Sequence, residues 1–274
     1  MDLLTQEYLK ARLNPRKADA HKGDFGHALL VAGNTGRMGA AVIAARACLR
    51  AGVGLLTVNV PQVERFILQT TIPEAMLVFR ENSGLDFTAF SALGIGPGIG
   101  LDDKSEKMLV EVLSHLRKPI VLDADALNIV SANKKLLHII QKGTIITPHP
   151  KEFDRLFGLH KTTDERVNTA IEKAKELDLV VVLKGYNTLI TAAGAAFLNS
   201  TGNAGLAKGA SGDALTGIIT AFLAQGYAPF DAAKMGVYLH GLAADITLKT
   251  QSMESMLITD VIENLGKAFE SVRK

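Results

Sequence analysis

Short unbroken apolar runs alternate with amphipathic helical stretches along most of the 274 residues, and that alternation narrows the possible folds more than any other feature. HALLVAG (27–33), GLLTVNV (54–60), ALGIGPG (92–98), PIVLDAD (119–125), TIITPH (144–149) and LVVVLKG (179–185) have the length and composition of strands buried on both faces. Between them, residues 39–51, 105–116 and the stretch ERVNTAIEKAKEL have helical spacing, the last with Val167, Ala170, Ile171 and Ala174 at steps of three and four. NTLITAAGAAFLNS (187–200) reads as a hairpin of two short strands. Beyond residue 212 helix follows helix. Leu215, Ile218, Ile219 and Phe222 share one face, and Ala233, Gly236, Val237, His240 and Ala244 share another. Strands separated by helices predict an α/β fold, a mostly parallel sheet covered by helices on both faces. No linker, repeat or low-complexity segment interrupts it, so one domain over 1–274 is expected. Ligands of such sheets sit in the loops at the carboxyl ends of the strands, here GNTGRMGA, GPGIG, TPHPKEF and LKGYNT.

Composition excludes several classes. Thirty basic against 28 acidic residues give a formal charge of +2, with no basic run or aromatic platform for nucleic acid. No apolar stretch approaches the roughly 18 residues of a membrane span. The opening MDLLTQEYLKARL lacks the layout of a signal peptide. A single cysteine, Cys48, rules out an internal disulfide framework and fits a reducing cytoplasm. Within AAVIAARACLRAG it reads as a small buried hydrophobe rather than a nucleophile.

The densest chemical signal is GNAGLAKGASGDALTGIITAF (202–222). A helix starting near Ser211 to Asp213 has unpartnered amide hydrogens and partial positive charge at its first turn. The glycines before it let a ligand approach the backbone, so the segment suits phosphate oxygens. Asp213 would repel phosphate unless it faces a hydroxyl that must lose a proton while attacking phosphorus; as a bare helix-start residue it would only favour the dipole. The loop is not a Walker A sequence, and GNTGRMG (33–39) lacks dinucleotide-fingerprint spacing. That second loop is either a ligand seat or a tight connection. In TPHPKEF, two prolines stiffen the backbone around His149, which suits ligand contact or a surface turn. In VLDADALN, Asp123 and Asp125 at spacing two would share a face of an extended chain and bind magnesium through water, or Asp125 would cap a helix. Lys184 in LKGYNT could neutralise phosphate or be a solvated strand end. His240, on an apolar helical face, is expected to be a satisfied core residue.

Taken together in order, KGDFGHALLVAG with MGAA, GIGPGIG, VLDADALN, TPHPKEF, VLKGYNTLI, and GNAGLAKGASGDALTG with YLHG resemble the ADP/ATP-dependent NAD(P)H-hydrate dehydratases over about residues 20–270. That family belongs to the ribokinase-like superfamily, so the resemblance implies a three-layer sandwich around the central sheet, with no epimerase domain of the kind fused to many relatives. It implies phosphorylation of the ring hydroxyl of a hydrated NADH or NADPH, followed by loss of phosphate, with ADP or ATP as donor and Mg2+ present. By resemblance, Asp213 is the base. The amides of Gly209, Ala210, Ser211 and Gly212 form the anion hole. Lys184, Gly185, Tyr186, Asn187, Thr188 and Gly212 contact the nucleotide, and Ala40, Gly98, His149 and Asp213 contact the hydrate.

TPHPKEF keeps Glu152 of the asparagine-x-x-glutamate motif of related kinases and puts His149 at the asparagine position, leaving Glu152 and Asp123 as metal candidates. The resemblance further implies a cytoplasmic homo-oligomer, such as a tetramer, served by a separate epimerase. The alanine-rich helices 39–51 and 231–248 are candidate partner faces. The lack of a targeting segment leans towards ADP. A kinase of the same fold acting on a small alcohol is the alternative function, and a nucleotide-binding regulatory protein is a third.

Overall fold

The computed structural model describes residues 1–82 and 84–274. Ten strands form a single sheet: β1 (Asp2–Leu3), β2 (His27–Val31), β3 (Leu55–Val60), β4 (Met76–Phe79), β5 (Ala92–Ile95), β6 (Ile120–Leu122), β7 (Ile145–Ile146), β8 (Val180–Leu183), β9 (Leu189–Ala192) and β10 (Ala195–Leu198). Their spatial order is β1-β10-β9-β8-β7-β6-β5-β2-β3-β4. Among the described strands only β9 runs antiparallel to its neighbours, because the tight hairpin to β10 reverses the chain there. The helices are α1 (Gln6–Lys10), α2 (Met38–Arg50), α3 (Arg65–Thr71), α4 (Asp103–His115), α5 (Ala124–Ala132), α6 (Pro150–Phe157), α7 (Thr163–Glu176), α8 (Ser211–Ala224), α9 (Pro229–Thr247), α10 (Ile258–Glu263) and α11 (Leu265–Arg273).

Alternation along each strand divides the interior into two cores. Ala28 and Leu30 of β2 join a core with residues of α2, α8, α9, α10 and α11. Leu29 and Val31 face the opposite core, with residues of α4, α5, α6 and α7. Both faces are thus covered, which is why the strands read as continuous apolar runs. Helix α8 is buried at every position from Ala214 to Ala224 and lies between α2 and α9. Glycines set these approaches: a Cβ on Gly217 would stand 2.1 Å from the Ala44 carbonyl oxygen, and one on Gly236 would stand 2.6 Å from Ile219. The alanine faces of residues 39–51 and 231–248 are therefore consumed inside the subunit. This overturns their reading as partner surfaces. Cys48 is fully buried and burial pushes its thiol far up, as expected of a packing residue.

From β2 the chain pairs β3 on one side, and β5 later lies on the other. This reversal opens a crevice at the carboxyl ends of β2 and β5, where α/β sheets bind ligands. The crossing is tight: the Gly33 amide donates to the Pro97 carbonyl at 2.7 Å. Among the described residues no helix is long and apolar enough to cross a membrane.

Candidate active site

At the carboxyl end of β6, Asp123 is 1% exposed yet fully partnered. Its carboxylate accepts from Lys184 Nζ at 2.8 Å, Thr147 Oγ1 at 2.8 Å and Thr216 Oγ1 at 2.9 Å. Burial acts to raise this carboxyl, but the Lys184 charge and the three hydrogen bonds overcome it and hold it below the usual range. Lys184 ends β8. Burial acts to lower its ammonium; the Asp123 and Glu152 carboxylates prevail and hold it raised. Glu152 Oε2 lies 3.9 Å from Lys184 Nζ. Lys184 is thus neither a solvated strand end nor a free cation. It stands between two carboxylates whose sequence positions are 32 or more residues away.

His149 is the N-cap of α6. Its Nδ1 accepts from the amides of Lys151 and Glu152, while the His149 amide donates to Glu152 Oε2 at 2.8 Å. Those contacts place the ring proton on Nε2, which faces Glu152 Oε1 at 3.4 Å. Burial lowers the ring's pKa, so the neutral form prevails near pH 7. The proline-flanked loop therefore serves as a rigid cap that also faces a cavity.

That cavity has a volume of about 670 Å³. His149, Lys184, Gly185, Tyr186 and Thr188 line one side of it, and Gly209, Ser211 and Gly212 line the other. Asn187 and Ala210, expected in the same set, do not line it. Ala210 instead makes the turn. It holds φ 72°, the left-handed region, as N-cap of α8 with no side-chain cap. Gly209 needs no glycine for its own dihedrals, and a Cβ there would meet nothing within 4 Å. The left-handed residue of this turn is thus an alanine rather than one of the glycines. The consequence is the arrangement anticipated: none of the amides from Gly209 to Asp213 donates a hydrogen bond among the described residues. Five N–H groups at one helix start remain available to an anion. A Cβ on Gly212 would stand 3.2 Å from Lys184 Nζ and 3.4 Å from Asp123 Oδ2, so this backbone rests directly on the ion pair.

Asp213 follows in the first turn of α8. Among the described residues its carboxylate has no hydrogen bond and no ion pair within 4.0 Å. Burial, with the Asp123 charge adding to it and Lys184 opposing, raises its pKa to about 6. Two aspartates thus face opposite conditions, one saturated with donors and one left bare.

On the other side of Asp123 the expected shared face with Asp125 is absent. Ala124 adopts φ 47° and α5 begins there, turning Asp125 away. Its carboxylate accepts from the Gly100 amide at 2.9 Å and faces Arg37 at 3.4 Å, and it caps no helix. Gly98, φ +64°, lies against α2, where an added Cβ would stand 3.0 Å from that of Ala40. Ala40 and Gly98, both expected at the substrate, are therefore neighbours at the sheet crevice. For a protein-held metal the residues do not fit. The Lys184 ammonium occupies the space between Asp123 and Glu152. Among the described residues no group of three or more His, Cys, Asp or Glu could hold an ion.

His240 departs from expectation. It is 6% exposed, but its Nε2 is buried without a partner and the residue lines the same cavity as Gly212. Burial, then the Lys184 charge, lower its pKa to about 4. An apolar helical face correctly indicated burial; that the ring borders a cavity had no signal in the periodicity.

Known proteins resemble the chain in sequence and in fold. The sequence model described as NAD(P)H-hydrate dehydratase matches residues 28–267. The bifunctional NAD(P)H-hydrate repair enzyme of Moorella thermoacetica is 36% identical over 96% of this chain and 53% of its own length, so the chain spans about half of that relative. The ADP-dependent (S)-NAD(P)H-hydrate dehydratase of Bacillus subtilis is 34% identical over 97% of this chain and 98% of its own. The crystal structure of the ADP/ATP-dependent NAD(P)H-hydrate dehydratase from Bacillus subtilis, co-crystallised with ATP and Mg2+, superposes with TM-score 0.88 at 31% identity. It covers 99% of this chain and 98% of that one.

Proposed function

Since the chain belongs to the NAD(P)H-hydrate dehydratase family, we propose that it is a hydro-lyase returning the 6S hydrate of NADH or NADPH to the reduced dinucleotide at the expense of ADP or ATP. ADP is the preferred donor in this reading, in keeping with the ADP-dependent relative that matches along nearly its full length. The nucleotide lies in the cavity between the Lys184–Thr188 turn and the start of α8, its terminal phosphate on the free amides of Gly209 to Asp213. Among the described residues no carboxylate set would hold magnesium, which, brought by the nucleotide, would supply counter-charge to the phosphates.

Asp213 takes the proton of the ring hydroxyl as that oxygen attacks the terminal phosphorus and the donor's bridging oxygen leaves. The amides and Lys184 hold the charge that develops on the transferring group. The carbon–oxygen bond then breaks, driven by the ring nitrogen's lone pair. Phosphate departs with the bonding electrons, and loss of a proton from the adjacent ring carbon restores the double bond. The observation that carries the reading is Asp213: a bare carboxylate with its pKa raised to about 6, at the mouth of an unused amide cradle.

The test is to incubate the protein with freshly made hydrate, magnesium and ADP, ATP or no nucleotide, and to follow near-ultraviolet dihydronicotinamide absorbance. Recovery only with nucleotide supports the reading. No recovery with either nucleotide rejects it, and accumulation of a stable phospho-product would instead mark a kinase. The reading extends to a cytoplasmic homo-oligomer, such as a tetramer, and to reliance on a separate epimerase to supply the reactive epimer. The exposed apolar side chains of Val63, Phe66 and Met76 beside the edge strand β4 suit self-association, measurable by light scattering.

A further inference from the structure

A second cleft, of about 1100 Å³, lies over the carboxyl ends of β2, β3 and β4 and the start of α4. Arg80, the residue after β4, lines it. Its Nε donates to Asn59 Oδ1 at 3.2 Å, and its Nη2 donates to the Ala32 carbonyl at 3.0 Å and the Asn59 carbonyl at 3.4 Å. Every one of these acceptors is neutral. Among the described residues no carboxylate forms an ion pair with Arg80, and Nη1 has no hydrogen-bond partner. Burial lowers its pKa only to about 10, so the guanidinium stays charged at neutral pH. Glu81 and Asp102 act on this half-buried cation only from beyond ion-pair distance, so an anion that joins the guanidinium directly would be favoured. A guanidinium fixed at two nitrogens, with the third open, is arranged for phosphate.

The wall of the cleft is tied to the loop that carries Gly98, although Gly98 itself does not line it. Asn34 and Ser105 line it, and both donate to the Ile99 carbonyl at 2.8 Å. Ile99 lies between Gly98, the expected substrate contact, and Gly100, whose amide binds Asp125. Two of the acidic residues in the wall are already engaged. Glu81 accepts from the Gln62 amide at 3.0 Å, and Asp102 caps α4 through the Lys104 and Ser105 amides.

We infer that this cleft holds the adenosine half of the hydrated dinucleotide, with Arg80 on one of its phosphates. The inference rests on the proposed function for the identity of the substrate. The phosphate is either in the pyrophosphate bridge, common to both hydrates, or the 2′-phosphate of NADPH hydrate alone.

Arg80→Met, Arg80→Lys and Asn82→Asp are assayed with each hydrate at saturating ADP. Asn82 is an exposed residue of the same cleft that makes none of the Arg80 hydrogen bonds. ADP-ribose and its 2′-phosphate are also titrated by calorimetry into protein already saturated with ADP. A charge-assisted hydrogen bond of this kind predicts a rise in KM of about 10- to 100-fold for Arg80→Met, with kcat and the KM for ADP kept. Arg80→Lys should recover part of it, and Asn82→Asp should weaken binding several-fold. Loss with both hydrates places the pyrophosphate on Arg80; loss with NADPH hydrate alone places the 2′-phosphate there. Unchanged KM for both hydrates in variants that melt like the parent, or no binding of either probe to the parent, overturns the inference. If the parent turns over neither hydrate, the proposed function fails, and the two probes still decide the role of Arg80.

Discussion

The protonation of Asp213 should govern activity on the acid side. With a pKa of about 6, the carboxylate is roughly nine-tenths ionised at pH 7, half at pH 6 and a tenth at pH 5, so kcat/KM should fall about tenfold per pH unit below that value. Asp213→Asn removes the base while leaving the backbone amides in place. Turnover should fall ~10²–10⁴-fold with the KM for ADP nearly constant. Stability should move the other way. The folded pKa lies above the unfolded value of 3.8, so the group favours folding below that value and this contribution is lost as pH rises through about 6. At pH 7 the folded protein therefore carries an ionised carboxylate that burial and Asp123 disfavour. Replacing it should raise stability by about 1–3 kcal/mol, allowing for its partial exposure. Initial rates across pH and urea melts of parent and variant measure both effects. A flat acid limb down to about pH 5, or a variant within tenfold of the parent, would refute the reasoning.

Three further outcomes follow from the same geometry. Gly209→Ala should leave the melting temperature unchanged, because the new methyl meets nothing within 4 Å in the protein, yet raise the nucleotide Kd because it projects beside the phosphate cradle. Gly96→Ala should lower stability by about 3 kcal/mol or more in urea melts. Its φ is +133° and a Cβ would stand 1.8 Å from the Asp123 carbonyl oxygen, so the strand end that carries Asp123 must move. His240→Ala should raise the Kd for ADP about tenfold with little change in the KM for hydrate, because a neutral ring with an unpaired nitrogen lines the donor cavity; an unchanged Kd by calorimetry would return His240 to a packing role.

Sequence patterns carried most of the sheet and little of the site. Strands such as β2 and β8 were legible because both faces are buried and the whole run is apolar. Strand β4 was not read: it spans four residues at the sheet edge and is only half-buried, so neither alternation nor a long apolar run marks it. A helix start with free amides was legible from glycine density before an apolar helix, but composition could not show that an alanine makes its left-handed turn. The buried network of Asp123, Lys184 and Thr216 joins residues 61 and 93 positions apart, and no local spacing encodes such a meeting. Asp125 was misplaced for a related reason: the strand ends one residue before Asp123, and the period of two no longer applies beyond it. Arg80 had no signal at all, since a single arginine after an unrecognised strand looks like any solvated charge.

In the proposed reaction the two aspartates at the centre divide the work because their surroundings differ. Asp123 is buried under three donors, one of them an ammonium, and stays ionised below the usual carboxylate range. With its lone pairs engaged it is a poor proton acceptor. Its value is positional: it fixes Lys184 beneath Gly212, where charge on a transferring phosphoryl group would develop. Asp213 has no donor and feels the Asp123 charge, so it is the more basic of the pair and the only one able to exchange a proton near neutrality. Pushing two carboxyl groups apart in this way supports the proposed acid–base roles without reference to any relative. The same pair would serve a kinase. What converts phosphorylation into dehydration is the electron pair on the substrate's own ring nitrogen, which needs no additional residue. In the proposed reaction, divergence between the two activities then lies on the acceptor side of Asp213, among Ala40, Gly98 and the cleft inferred to end at Arg80, rather than in the amides proposed to hold the donor.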